Sequence, residues 1–408
     1  MKKIEWVPVV LMDCDIRSIE GVISSYGRRG VEVIALSAQR GTPPPAFKSK
    51  YVRHTYYSPK VSESSAYLDF LLELPHRGVL VYSSDAGAEF VAQHQDTLRR
   101  AGYRLNIAAY ETFRRGFDKD KIFKECQACG VPTMKTKEIE SVDDLYAAAK
   151  AFGFPLILKP TRLAGGAYRK VTDTESIPEV YAYMRALIRS EEHAAQQSCL
   201  IAQEFIAHHH QDIYCCETYY PANRSERRFL SIQKVRPNIN YDGTVGSRLY
   251  AGQTVELPEL ERLSAQILDH LGWKGFAHLD WLYSEKYEQF LLCEINPRLP
   301  GFSNFTTAVG FDMAWYYYAD LTARQAKPFR FRRALYFEAL RHPGDLTTNL
   351  LAVTKGHLSL WAFLQPYLKI FTFRYKVVMD VYYGTDPGLT WANYKISFRN
   401  LWKKLSRP

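Results

Sequence analysis

Three short stretches of this chain hold residue types whose spacing suits chemistry. The first is Leu291-Leu-Cys-Glu-Ile-Asn-Pro-Arg298. On a strand, Glu294 and Asn296 lie two apart and project from one face, while Cys293 and Ile295 project from the other, toward a core. A carboxylate beside an amide oxygen suits Mg²⁺, a hard ion that takes oxygen ligands and completes its shell with phosphate oxygens. Asp280, on the preceding predicted strand, would face this pair across a hairpin. Arg298, at the strand end, can fork onto a phosphate or carboxylate. Taken alone, Glu-x-Asn more often marks a polar strand end with a surface ion pair.

The second stretch is Phe154-Pro-Leu-Ile-Leu-Lys159-Pro, with Leu163-Ala-Gly165-Gly166-Ala167 close behind. A lysine ending a buried strand is a point charge held beyond the sheet, and glycines let backbone N–H groups approach phosphates. No Gly-Lys-Ser/Thr occurs, so this is not a Walker A loop; such a segment alone is more often a flexible loop. The third is Ile201-Ala-Gln203-Glu204-Phe205-Ile206, leading to His208–His210. A hinge strand of this kind can offer backbone groups to an adenine edge while apolar neighbours sandwich the ring.

The elements that must position these residues alternate in a regular way. Strands are predicted at Val7–Met12, Val31–Leu36 and Gly78–Tyr82, with helices at Arg17–Arg28, Glu63–Leu74 and Glu89–Ala101. This βαβα rhythm predicts a parallel sheet covered by helices. The prolines of Thr42–Ala46 make a loop. No G-x-G-x-x-G follows the first strand, which leaves a dinucleotide site there unsupported. Asp85 falls just past a strand, where open α/β sheets place ligands, although a helix N-cap or loop carboxylate is its commoner meaning. From Asp118 the pattern changes to a Lys-rich helix stopped by Gly130 and Pro132, a capped helix from Ser141, and strands at 154–158, 199–205, 213–220 and 229–235. A helix follows at Glu259–Leu271, and Gly275–Tyr283 pairs with Gln289–Ile295 as a hairpin.

The chain has 408 residues, with 47% hydrophobic and 24% charged. At about 150 residues per domain, two or three domains are expected, and a disordered tail, a collagen-like fibre and a polytopic membrane protein are excluded. The 7 scattered cysteines suit a reducing compartment. The opening MKKIEWVPVVLMD reads as a first strand, because Glu5 interrupts its apolar run and no small-residue cleavage site follows. The expected location is cytoplasmic.

Together, Asp118-Lys119, Gly130-Val131-Pro132, Phe154–Pro160, Gln203–Ile206 and Cys293–Arg298 resemble the ATP-grasp superfamily, in particular its carboxylate–amine ligases, including predicted ligases and D-aspartate ligase-like cell-wall enzymes. The resemblance runs from about Asp118 to Ala314, and the first 110 residues resemble the domain that precedes ATP-grasp. It implies an α/β and α+β architecture: a pre-ATP-grasp α/β domain over 1–112, a two-lobed ATP-grasp domain over 113–325 with its lid lobe at about 155–205, and a basic, aromatic helical extension over 326–408. It also implies ATP with Mg²⁺, or Mn²⁺ in its place. Lys119 and Lys159 would hold the α- and β-phosphates. Gln203, Glu204, Phe205 and Ile206 would meet adenine, and Asp212 the ribose. Asp280, Glu294 and Asn296 would bind two metal ions, and Arg298 would stabilise the transferred phosphoryl. Lys234 or Arg236 would face the γ-phosphate or the acyl phosphate, and the 163–167 loop with Gly165 and Gly166 would close as a lid. Ala207 replaces the family's usual glycine, and the three histidines lengthen the approach to Asp212. The reaction implied activates a carboxylate as an acyl phosphate for attack by an amine of an amino acid, a peptide or a cell-envelope precursor. A thiol or hydroxyl acceptor remains open, as does an ATP-binding scaffold docked on membrane.

Other signals read as structure. Cys126-x-x-Cys129 lacks a second pair and lies in a predicted helix. His208–His210 read as a surface loop, and Cys215-Cys216 as buried strand residues. Residues 328–408 carry 13 basic and 4 acidic side chains, a net of +9 against +10 for the whole chain. Trp391, Tyr394, Phe398, Leu401, Trp402 and Leu405 recur at helical spacing among lysines and arginines. That pattern fits a helix packed on the body with solvated lysines, the favoured reading, or an interfacial helix on an anionic membrane. Leu358–Phe373 is apolar but too short to span, at under about 20 residues. Nucleic acid is not expected as a partner, since no recognised binding fold accompanies the charge. Oligomerisation is compatible with the sequence.

Overall fold

Short Val- and Leu-rich runs at Val9–Leu11, Val33–Ser37 and Val79–Val81 form a parallel sheet with Val52–Tyr57 at its edge, in the order 52–57, 33–37, 9–11, 79–81. Apart from Val52–Tyr57 the strands are fully buried, as a parallel sheet covered on both faces requires. The edge strand is missing from the sequence reading because it buries almost nothing: Arg53, His54 and Thr55 all face water. The computed structural model describes residues 6–161, 168–190, 199–221, 226–236, 238–239, 245–246, 249, 251–338, 345–380 and 383–405.

A small antiparallel sheet follows, in the order Thr136–Ile139, Leu200–Glu204, Leu156–Pro160, Arg169–Val171. Helices Val142–Phe152 and Ile177–Ser190 close its own core of Leu145, Leu158, Met184 and Leu200. The first of these helices starts with a reciprocal cap between Ser141 and Asp144. The strand Thr136–Ile139 brings this lobe's start well before residue 155.

The large sheet has seven strands: Gln289–Asn296, Gly275–Ser284, Ile213–Tyr220, Arg228–Lys234, Ala251–Val255, Ala334–Phe337 and Lys376–Met379. All pairings are antiparallel except the last. The C-terminal region is therefore more than a helical extension. Ala334–Phe337, wholly buried, pairs with Ala251–Val255, and helices Asp345–Thr354 and Leu360–Leu368 make the crossover that a parallel partner strand demands. Strands of four residues without flanking turn signals do not announce themselves by periodicity.

One continuous core joins the parallel sheet to the large sheet. The seam is tightest where helix Arg17–Gly27 crosses helix Ser303–Ala308. A Cβ on Gly21 would sit 2.3 Å from both the Asn304 backbone nitrogen and the Ser303 Oγ, so only glycine permits this approach. The seam holds the carboxyl ends of the parallel strands against the turn that follows Arg298.

Candidate active site

The hairpin of Gly275–Ser284 with Gln289–Asn296 sets Asp280 opposite Glu294, His278 opposite Asn296 and Leu282 opposite Leu291. The register slips between Asp280 and Trp281, leaving Cys293 without a ladder partner. This bulge changes the strand's parity. Leu292 and Ile295 enter the main core, while Leu291 turns to the same side as Asp280 and Glu294. Cys293, expected to point into the core, is instead half-buried beside Leu282 and Leu291. Burial raises its thiol to about 12, with Asp280 adding to the rise and Lys159 opposing it.

Asn296 ties the two carboxylates together, donating Nδ2 to Asp280 at 3.0 Å and to Glu294 at 3.3 Å. Behind them lies a pair that no sequence signal exposed. His278 bonds Glu217 through Nδ1 at 2.5 Å and faces Asp280 through Nε2 at 3.3 Å. Burial alone would lower the imidazole, but the two carboxylates hold it protonated far above its ordinary range. Burial would likewise raise Asp280; His278 and Arg298 keep it ionised below the usual carboxylate range. Donor atoms of Cys215, Glu217 and His278 lie within 4.8 Å of one another. Both nitrogens of this imidazolium carry protons, however, which favours an ion pair there over a metal site. The hard-oxygen set of Asp280, Glu294 and the Asn296 carbonyl fits Mg²⁺ better than that thiol–imidazole set does.

Cations reach the carboxylate pair from separate elements. Lys119 opens helix Lys119–Cys129, with its Nζ 3.5 Å from Glu294. The residue before it, Asp118, is gripped by Arg114 through two 2.9 Å bonds, a buried fork that sets where the helix starts. Lys159, at the end of its strand, donates to Gln203 Oε1 at 2.9 Å. Burial lowers its ammonium to about 8, Lys119 adding to the drop and Glu294 opposing it. Lys234 is buried in the large sheet and lowered to about 8 by burial, with Asp280 pulling it back up. Arg298 reaches Asn296 Oδ1 at 3.4 Å and Asp85 at 2.8 Å. Asp85 opens helix Asp85–Arg100, where Ser84 is the cap, so the parallel sheet contributes an anchor to the arginine. Four cations around two carboxylates make a site that attracts polyanions.

Arg236 follows two residues after Lys234. Its guanidinium bonds the Phe363 carbonyl and lies 4.8 Å from the Tyr367 ring centroid, in the C-terminal crossover. The strand Arg228–Lys234 ends before it.

Between the lobes, Ile206, Met134, Leu282 and Leu291 form a small apolar group, with Ile213, Tyr287 and Cys293 at its border. Gln203 is buried and clasped by Lys159 and Thr136. Burial would raise the Glu204 carboxyl, but Lys286 and Tyr287, the latter at 2.7 Å, hold it below the usual range. Lys170 lies 4.2 Å over the Phe205 ring. Asp212 accepts from the His209 backbone at 2.6 Å, fixing the turn into Ile213–Tyr220. His208 and His209 are exposed. Gly165 and Gly166 lie outside the described residues.

Residues 118–214 match the family model described as the carbamoyl-phosphate synthase L chain, ATP binding domain. Alanine–anticapsin ligase of Bacillus subtilis is 30% identical over 135 residues, covering 32% of this chain and 28% of that protein. The chain spans less than half the length of the curated relatives it matches, from 14% to 44%. Two solved structures share its fold over most of its length. N5-carboxyaminoimidazole synthetase from Staphylococcus aureus superposes with a TM-score of 0.64 at 12% identity, covering 88% of each chain. The L-amino acid ligase from Bacillus licheniformis gives a TM-score of 0.61 at 15% identity, covering 82% of this chain and 80% of its own. The fold is the two-lobed ATP-grasp α/β fold. Residues 118–214 thus match an ATP-binding domain, within a chain that shares the fold of these synthetases and ligases.

Proposed function

We propose that this protein is an ATP- and Mg²⁺-dependent ligase that activates a carboxylate as an acyl phosphate and joins it to an amine. The observation that carries the reading is the convergence of Lys119, Lys159, Lys234 and Arg298 on Asp280 and Glu294. In this reading Asp280, Glu294 and Asn296 would hold Mg²⁺, which would supply charge neutralisation for the triphosphate. Lys119 and Lys159 neutralise the α- and β-phosphates, and Lys234 meets the γ-phosphate. Arg298, braced by Asp85, receives the charge that builds on the phosphoryl group as it passes to a carboxylate oxygen and ADP departs. Such catalysis is positioning plus charge stabilisation and needs no protein nucleophile. The amine then attacks the acyl carbon, the carbonyl re-forms, and phosphate leaves. The apolar group around Ile206 suits the faces of a purine, and Gln203 to Ile206 the recognition of its edge. Arg236 stands as the alternative cation to Lys234, and Asp212 on the ribose hydroxyls is retained from the family pattern.

We divide the chain into a pre-ATP-grasp domain over 1–112 and an ATP-grasp domain whose large sheet takes two strands from the C-terminal region. All seven cysteines are free, which supports a reducing, cytoplasmic setting. No helix among the described residues is long and apolar enough to cross a membrane. The carboxylate pair favours an enzyme over an ATP-binding scaffold, which has no use for metal ligands aimed at a phosphate cradle.

The test is ADP release by the purified protein with Mg²⁺-ATP against pooled amino acids, short peptides and cell-envelope precursors, with Glu294→Ala as the control. Release that requires a pool and falls at least about a hundredfold in the variant supports the ligase. ATP binding without turnover on any pool favours the scaffold. Product analysis separates amide from thioester and ester.

A further inference from the structure

Helix Leu360–Leu368 is apolar on two sides. Its inner side is fully engaged: Tyr367 stacks on Phe337 with ring centroids 4.6 Å apart, the Phe363 carbonyl takes the Arg236 guanidinium, and the Ser359 hydroxyl caps the helix start. The helix is thus bolted to the large sheet. Its outer side carries Leu360, Trp361, Leu364 and Leu368, which at helical spacing fall within an arc of about 100°. Leu360 is 57% exposed and Trp361 65%. The following turn, Lys369–Thr372, adds Phe371 at 71% exposure and ends on Phe373 at 92%. Phe373 also has a φ of 54°, a left-handed conformation that a bulky residue adopts at a cost. Nothing in the described chain repays the display of that ring to water.

Charge identifies the occupant. From Leu346 to Met379 there is not one Asp or Glu, while Lys355, Lys369, Arg374 and Lys376 give the segment a net of +4 before histidine is counted; Lys369 and Lys376 are bonded to the neutral Gln253 side chain and Ala308 carbonyl, so no carboxylate there cancels their charge. A rigid Trp- and Phe-bearing projection in a cationic setting matches the lipid headgroup boundary, where aromatic rings settle and basic residues meet anionic lipids. We propose that the outer face of Leu360–Phe373 docks on an anionic membrane surface, lying in its plane. This surface is distinct from the Trp391–Leu405 stripe of the C-terminal helix, and the proposal stands or falls apart from the ligase reading.

The experiment is flotation of the full chain with vesicles of phosphatidylcholine alone and with about one-third phosphatidylglycerol. The native protein is expected to float with the anionic vesicles only, and less so as salt is raised. Replacing Trp361, Phe371 and Phe373 by alanine should lower the bound-to-free ratio about tenfold or more. Phe373→Ser alone touches no packed neighbour and should lower it about threefold. Unchanged melting temperatures verify that both variants are folded. Absence of flotation by the native protein, or equal flotation by the triple variant, overturns the proposal. So does a dimer in vesicle-free solution that the triple variant abolishes, an outcome that assigns the face to a second copy.

Discussion

Lys159 carries a charge that burial makes costly. Burial and the neighbouring Lys119 lower its ammonium to about 8 from an ordinary 10.5. Below about pH 8 the group is charged and attracts phosphate; above it, the neutral amine prevails in the free protein. ATP affinity is therefore expected to weaken by up to about tenfold per pH unit above 8, as read by calorimetry. Lys159→Arg, which stays charged, should flatten that limb; a native profile already flat to pH 9.5 or so would refute the assignment. The same linkage has a second sign. An unfolded chain binds this proton up to about pH 10.5 and the folded protein does not, so this lysine adds stability as pH rises from about 8 toward that value. Arg236, two residues beyond Lys234, shows how sharply position matters: one cation is buried in the sheet near Asp280, the other is spent on Phe363 and Tyr367.

Among the elements, the strand Gln289–Asn296 and the helix Arg17–Gly27 do the aligning. The bulge at Cys293 lets a single strand give Leu292 and Ile295 to the core and still present Leu291, Glu294 and Asn296 on the site side. Strict alternation cannot deliver that set. The helix matters through Gly21, where a methyl group would collide with the Asn304 backbone at 2.3 Å. Gly21→Ala is expected to destabilise the protein by about 1–3 kcal/mol in urea unfolding, because the obstacle is backbone and cannot rotate away. An unchanged midpoint would mean that the two helices separate freely.

Across the whole molecule, the C-terminal region is part of the seven-stranded sheet. Removing residues 326–408 would strip Ala334–Phe337 from Ala251–Val255 and leave an open apolar edge. Each fully buried Leu, Phe or Tyr lost from that strand forfeits roughly 1.5–3 kcal/mol, so three of them rival a domain's entire stability. The truncated chain is expected to aggregate on expression. A monodisperse, ATP-binding fragment in size-exclusion chromatography would contradict this architecture. The parallel sheet is equally integral, since Asp85 braces Arg298 across the domain seam at 2.8 Å.

What the sequence determined by itself is whatever local periodicity controls. The inner strands of the parallel sheet, the capped helix at Ser141, the hairpin, and the adjacency of Asp280, Glu294 and Asn296 all follow from alternation, turn residues and short loops. The ATP-grasp motifs were legible for the same reason, each being a few consecutive residues on one element. Tertiary structure alone decided the contacts between distant elements. Glu217 meets His278 because their strands are neighbours in the large sheet, and Asp85 meets Arg298 because two domains close on Gly21. The edge strand Val52–Tyr57 and the strands Ala334–Phe337 and Lys376–Met379 form because a partner strand waits for them. Their backbone groups and side chains gain partners only after the chain has folded back, and that long-range gain leaves no period along the sequence.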